Sequence, residues 1–188
     1  MLSQEEWEYL FKLVRDTLKL AVTQKGEIKF SPPEPKERYS HLYERRGVFV
    51  TLLKEGYLRG CMGSLFSEKP LFDEIVEVAL SSAFKDPRFP PINEEELPLI
   101  EIEISLLSPL KKSNWEEVEV GKHGIYLKKG FYRGLLLPQV ATHYNWDKKT
   151  FLKHTCLKAG LPEDCYLDPE VEIYTFTAEV AKEKEKIV

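Results

Sequence analysis

Apolar residues recur at Trp7, Leu10, Phe11, Val14, Leu18 and Ala21. That three-and-four spacing marks one face of a helix and predicts an amphipathic helix over residues 4–23. Ser3, with Glu6 three positions on, forms a capping-box pair at its start. Gly26 ends it. Ser31-Pro32-Pro33-Glu34-Pro35 is extended, because proline fixes φ and pushes the preceding residue out of the α region. A polar linker containing His41 then leads to Gly47–Leu53 (GVFVTLL), an unbroken apolar run read as a strand covered on both faces. Lys54-Glu55-Gly56 turns the chain, and Tyr57–Cys61 returns as its hairpin partner. Pro70 opens a second helix, with Leu71, Ile75, Val78, Ala79, Ser82 and Ala83 as its buried stripe. Asp86-Pro87 stops it, and Asp86–Pro91 (DPRFPP) is a stiff loop.

Beyond that loop the periodicity changes to two. Leu99–Leu107 alternates, with Ile100, Ile102, Ile104 and Leu106 on one face and Glu101, Glu103 and Ser105 on the other, the pattern of a strand wet on one side. Trp115–Val120 (WEEVEV) reads as a shorter strand of the same kind. Ile125–Leu127 and Phe131–Leu137 form a second hairpin across Lys128-Lys129-Gly130. Pro138–Tyr144 is a short helix. Asp147 caps another over residues 148–159, on whose apolar stripe Cys156 lies, and Gly160 follows it. Val171–Val180 is a final strand, and Ala181–Val188 is expected to fray. The chain's 188 residues suit one domain, 1–188, folded to about residue 180.

Composition narrows the class. The chain is 43% hydrophobic and 31% charged, enough apolar residue for a core. The first residues lack the basic and apolar regions of a secretory leader, and no apolar run approaches membrane-spanning length, so a cytoplasmic protein is expected. Cys61, Cys156 and Cys165 are odd in number and form no C-x-x-C, which reads as reduced thiols with no dedicated metal site. Abundant Lys and Glu with few amides is a thermophile-like bias. The net charge of −4 disfavours general nucleic-acid binding, yet residues 120–162 hold eight basic residues against Asp147 alone. That excess of +7 can make a basic face, with Tyr126, Phe131, Tyr132, Tyr144 and Trp146 interleaved for stacking. Acidic segments elsewhere in the fold can equally cover it.

The chemistry concentrates in Leu58-Arg59-Gly60-Cys61-Met62-Gly63. On a strand Arg59 and Cys61 share a face, and a guanidinium beside a thiol favours the thiolate. Gly60 and Gly63 leave room for a ligand over the sulfur. In this reading Cys61 is nucleophile, redox centre or covalent carrier, and Arg59 lowers its pKa or holds an anion. Structurally, Cys61 is a small buried side chain and Arg59 pairs with a carboxylate. Arg88 lines the same pocket, Gln139 presents a helix N-terminus, and His123 or His143 completes a Cys–His dyad. Lys158, next to His154 on the wetter side of its helix, joins the ligand-binding candidates. The competing function is a regulatory or binding module that uses the 120–162 face for an acidic protein, phosphate or nucleic acid.

GVFVTLLKEGYLRGCMGSL, DPRFPP and GLLLPQVATHYNWDKKTFLKHTCLKAGLP, in that order, resemble the AMME-syndrome candidate-region protein family. The usual hexapeptide there is Leu-Arg-Gly-Cys-Ile-Gly, and Met62 is a swap of similar volume. The resemblance runs from about Glu44 to Val180. It implies a compact two-subdomain α+β fold: a mixed or antiparallel sheet flanked by helices, and a smaller β-rich lobe. It implies Memo-like and radical-SAM-like proteins as partners, and no settled activity, substrate or cofactor.

Overall fold

A computed structural model of the chain describes residues 1–183. It is α+β and its described residues divide into two compact units, residues 1–106 with 179–183 and residues 107–178. In the first unit α1 (Gln4–Thr23) begins with the expected capping box, Glu6 N–H donating to the Ser3 hydroxyl and Ser3 N–H to the Glu6 carboxylate. The hairpin β1 (Val48–Lys54) and β2 (Tyr57–Ser64) turns through Glu55 and Gly56, at φ 54° and 83°. Two consecutive left-handed residues match the twist of the flanking strands. α2 (Leu71–Phe84) follows Pro70, and β3 (Ile100–Leu107) pairs antiparallel with β1. With β8 (Ala178–Lys182) they complete a sheet of order β2-β1-β3-β8.

Val48, Val50, Leu52, Ile102, Ile104 and Leu106 face a core shared with Leu10, Val14 and Leu18 of α1 and Ile75 and Ala79 of α2. The other face departs from the alternation in β3. Glu103 and Ser105 are 8% and 0% exposed, so this polar face is buried rather than wet. Cross-strand register explains how its polar groups meet: Thr51 of β1 stands between Cys61 of β2 and Glu103 of β3.

The second unit holds β4 (Lys111–Ser113), β5 (Gly124–Lys129), β6 (Tyr132–Leu136) and β7 (Glu172–Phe176) in the order β4-β7-β5-β6. α3 (Pro138–His143) and α4 (Lys148–Lys158) belong to the same unit. Three expectations change here. Trp115–Glu117 is a 3-10 turn, not a strand, because the Asn114 side chain accepts the Glu117 N–H at 3.2 Å and offers the backbone a cap in place of a ladder. The strand expected over 171–180 is two strands in different sheets, β7 and β8, parted at Thr177, whose N–H goes to Ser108 Oγ. Ala181 and Glu183 are buried, and Glu183 pairs with Arg15, so the expected fraying does not begin at 181. Its remainder, 184–188, lies outside the described residues.

Cys156 and Cys165 form a disulfide, which corrects the reading of all three cysteines as reduced thiols. Gly160, at φ 79°, turns the chain after α4. The following 3-10 turn returns Cys165 to a Cα–Cα separation of 5.8 Å from Cys156, within bonding range. Among the described residues no helix is long and apolar enough to cross a membrane.

Candidate functional site

Cys61 lies near the middle of β2, an end strand of its sheet. It is half-buried, and its Sγ is 3.2 Å from Thr51 Oγ1 on the neighbouring strand. Its backbone is held from the loop after α2. Cys61 N–H donates to Asp86 Oδ2 at 2.9 Å, and Cys61 O accepts from Arg88 Nη2 at 3.3 Å. Arg88 grips the same carboxylate, Nε to Oδ1 at 3.0 Å and Nη2 to Oδ2 at 2.8 Å, and its own N–H donates to Oδ1. The Asp86 side chain is 2% exposed and that of Arg88 52%. Pro87 between them stiffens the short link that presents both groups to the strand.

Electrostatics follow from those bonds. Arg88 lowers the Asp86 pKa to about 2; burial opposes this, and the Cys61 and Arg88 N–H groups add to it. Arg88 is raised in turn by Asp86, against burial, with a smaller contribution from Cys61. A carboxylate fixed in its ionised form keeps the clamp closed across the neutral range.

Arg59 serves a different carboxylate. Its Nε and Nη2 donate to Glu96 at 2.9 and 3.1 Å, and Nη1 and Nη2 to the carbonyls of Pro90 and Pro91 at 2.8 and 3.3 Å. Every guanidinium nitrogen has an acceptor, and the side chain is 12% exposed. Lys54 Nζ and Asn93 N–H also reach Glu96, whose pKa falls to about 2, chiefly through Arg59. The structural alternative raised for Arg59, a carboxylate pair, is thus its observed bonding. A β-bulge explains the separation: register shifts between Leu52 and Leu53, leaving Arg59 as the extra residue of β2.

The two glycines also have a packing cause. A Cβ on Gly60 would stand 2.1 Å from the Ser82 carbonyl oxygen of α2, and one on Gly63 2.3 Å from the Phe49 ring. The space expected for a ligand at these positions is filled by the protein. At Gly60 the approach lets Ser82 Oγ accept the Met62 N–H at 2.9 Å while lying 2.8 Å from Val50 O, a hydroxyl wedged between β1 and β2.

Gln139, His123 and Lys158 belong to the second unit. Gln139 is the second residue of the six-residue α3. His123 Nδ1 accepts the Glu119 N–H at 3.1 Å within its own turn, and burial lowers its pKa. Lys158 Nζ donates to Leu135 O at 2.7 Å. Among the described residues no group of three His, Cys, Asp or Glu side chains has metal-binding geometry. The structure therefore gathers Cys61 and Arg88 of the expected set and adds Thr51 and Asp86, which sequence reasoning missed. An acid and a base flanking Pro87 were the available signal for Asp86; Thr51 had none, because its partner is set by register.

Three comparisons bear on identity. The AMMECR1 family model matches residues 11–181. A protein of Methanothermobacter thermautotrophicus is 42% identical over 97% of this chain and 96% of its own, and Mbar_A1807 of Methanosarcina barkeri is 44% identical over 98% and 94%. The crystal structure of the uncharacterized protein PH0010 from Pyrococcus horikoshii superposes with a TM-score of 0.89 at 37% identity, covering 97% of this chain and 94% of that one. The thermophile-like composition fits archaeal relatives. By its sequence and by its fold, the chain belongs to the AMMECR1 family.

Proposed function

We propose that this domain presents Cys61 as a reactive thiol toward a small molecule, as nucleophile or covalent carrier, with Arg88 rather than Arg59 as its neighbouring cation. The carrying observation is the clamp: Asp86 and Arg88 hold both backbone polar groups of Cys61, while its half-buried Sγ lies 3.2 Å from the Thr51 hydroxyl. Thr51, 3.2 Å from the sulfur, stabilises a thiolate by donating to it.

The disulfide makes the test selective. With Cys156 and Cys165 bonded, a thiol reagent under non-reducing conditions reads Cys61 alone. Mass spectrometry of folded protein treated with iodoacetamide is expected to show one modification, on Cys61, with a half-maximal rate below pH 8. No modification until denaturant is added, or a midpoint above about 8.5, the free-thiol value, would retire the reading.

A second reading is a docking module for an anionic polymer in the unit of residues 107–178. It draws on one observation, a ladder of rings. Tyr144 stacks on Trp146 at 4.9 Å, Trp146 stacks on His154 at 4.0 Å and 2°, and Tyr144 is 60% exposed. Exposed stacked rings can extend onto a base.

A further inference from the structure

Arg88 carries more bonds than its burial explains. Nε and Nη2 serve Asp86 and Cys61 O, and the guanidinium also lies 5.5 Å from the centroid of the Phe89 ring. An arginine tied at two nitrogens and seated near an aromatic ring has lost most of its rotamer freedom. Yet the side chain stays 52% exposed, and Nη1 has no acceptor among the described residues. A flexible surface arginine loses entropy when it captures a ligand, whereas one already immobilised has little left to lose. Asp86, almost wholly enclosed, is occupied by three N–H groups besides Nη2, so it offers little competition for a further partner of the cation.

Resting on the Cys61 reading above, we infer that Arg88 selects the class of molecule that reaches the sulfur: an electrophile bearing an anionic group, carboxylate or phosphate, which Nη1 receives while Cys61 attacks the carbon beside it. The smaller influence of Cys61 on the Arg88 cation agrees with their proximity. In the probe reaction the balance is simple. The thiolate forms a sulfur–carbon bond, the carbon–iodine bond breaks, and iodide leaves; the thiol proton has already gone to solvent.

Two probes that differ in charge but not in reacting carbon test this. Iodoacetate carries a carboxylate; iodoacetamide is neutral. The quantity read is the ratio of their rates at Cys61, compared with the same ratio for glutathione in the same buffer. Changes in thiolate fraction cancel in that ratio, so a merely structural role for Arg88 would not move it. At low ionic strength the ratio is expected to be about fivefold above the glutathione value, on the order of 1 kcal/mol of attraction by one partly solvated charge. Salt at 0.5 M should bring it back toward the reference. Arg88→Ala should abolish the preference, and Arg88→Lys, which keeps the charge, should retain most of it.

The outcomes separate cleanly. If neither reagent modifies folded protein, the Cys61 reading fails and this inference with it. If both react at the glutathione ratio, or Arg88→Ala leaves the ratio unchanged, Cys61 is reactive and the selection by Arg88 is wrong. Should Arg88→Ala fold poorly, the salt series on the native protein and the Arg88→Lys ratio still decide: no salt dependence of the ratio overturns the inference. Phosphate added as a competitor at matched ionic strength distinguishes the anion class, since it should slow iodoacetate more than iodoacetamide if Nη1 accepts phosphate; an unchanged ratio of the two rates assigns the subsite to carboxylates alone.

Discussion

At Gly60 a single missing Cβ lets a helix and a hairpin approach to contact distance. The neighbouring atom at 2.1 Å is a backbone carbonyl, which cannot swing aside as a side chain would. Gly60→Ala must therefore shift α2 or bend β2, and either move disturbs the Ser82 wedge. Overpacking typically costs about 1–3 kcal/mol; a lost buried hydrogen bond adds about 1 kcal/mol. Urea titration should place Gly60→Ala at least 2 kcal/mol below native, and a loss under about 0.5 kcal/mol would show that the close approach is not rigid. The ligand space expected at this glycine is taken by the Ser82 carbonyl. A glycine in a strand announces close approach without saying what approaches. Arg59 teaches the same lesson: its spacing from Cys61 was legible, but the bulge that sends it to Glu96 depends on register.

At the scale of elements, the loop after α2 is held to the β1–β2 hairpin by two carboxylates. Asp86 fastens it at Cys61, and Glu96 fastens it at Arg59 and Lys54. Both have folded pKa values of about 2, against ordinary values of 3.8 and 4.5. A carboxyl whose pKa falls on folding stabilises the fold while ionised. That contribution is whole above about pH 5 and drains away as pH falls toward 2. Stability measured from pH 6 to 2.5 should decline, and Asp86→Asn should be less stable at pH 6 yet decline less steeply. Parallel curves for the two proteins would contradict the assignment. The elements were legible wherever periodicity was long: α1, the β1–β2 hairpin, α2, α4 and the β5–β6 hairpin all stand near their expected bounds. Short pieces were not, because a local cap at Asn114 and a sheet change at Thr177 override alternation. The wet face expected of β3 was misread for a further reason: alternation shows that two faces differ in polarity, not that the polar one meets water.

For the whole molecule, acids of the same unit meet part of the charge excess of residues 120–162. The unit of residues 107–178 contains ten Lys and Arg against nine Asp and Glu, a net of +1. Within it Lys129 pairs with Asp168 and Glu170, Lys153 with Glu163, and Lys122 with Glu119. All of these acids lie outside residues 120–162, Glu163 directly after it, and Glu119 is only three residues from Lys122, so the excess counted over 120–162 depends on where that segment is cut. Binding to a single-stranded oligonucleotide should consequently be weak, with a log–log salt slope no steeper than about −2, since few phosphates can displace counterions. A slope near −6 that Tyr144→Ala reduces in affinity would favour the polymer-docking reading over the thiol one. The two-unit α+β plan came through the family resemblance; the disulfide did not, because pairing needs the return of the chain past Gly160.

The clamp at Cys61 has one more effect, on the company the protein keeps. β2 closes its sheet on one side, and the outer rim of such a strand is a template on which another polypeptide can lie and add itself, copy upon copy. Asp86 and Arg88 occupy that rim at its centre, one taking the N–H and the other capping the carbonyl, as a neighbouring strand's backbone would. Two side chains thus stand in for an absent strand, so the stretch bearing the sulfur can stay extended and open on its face without inviting fibrillar growth along its side.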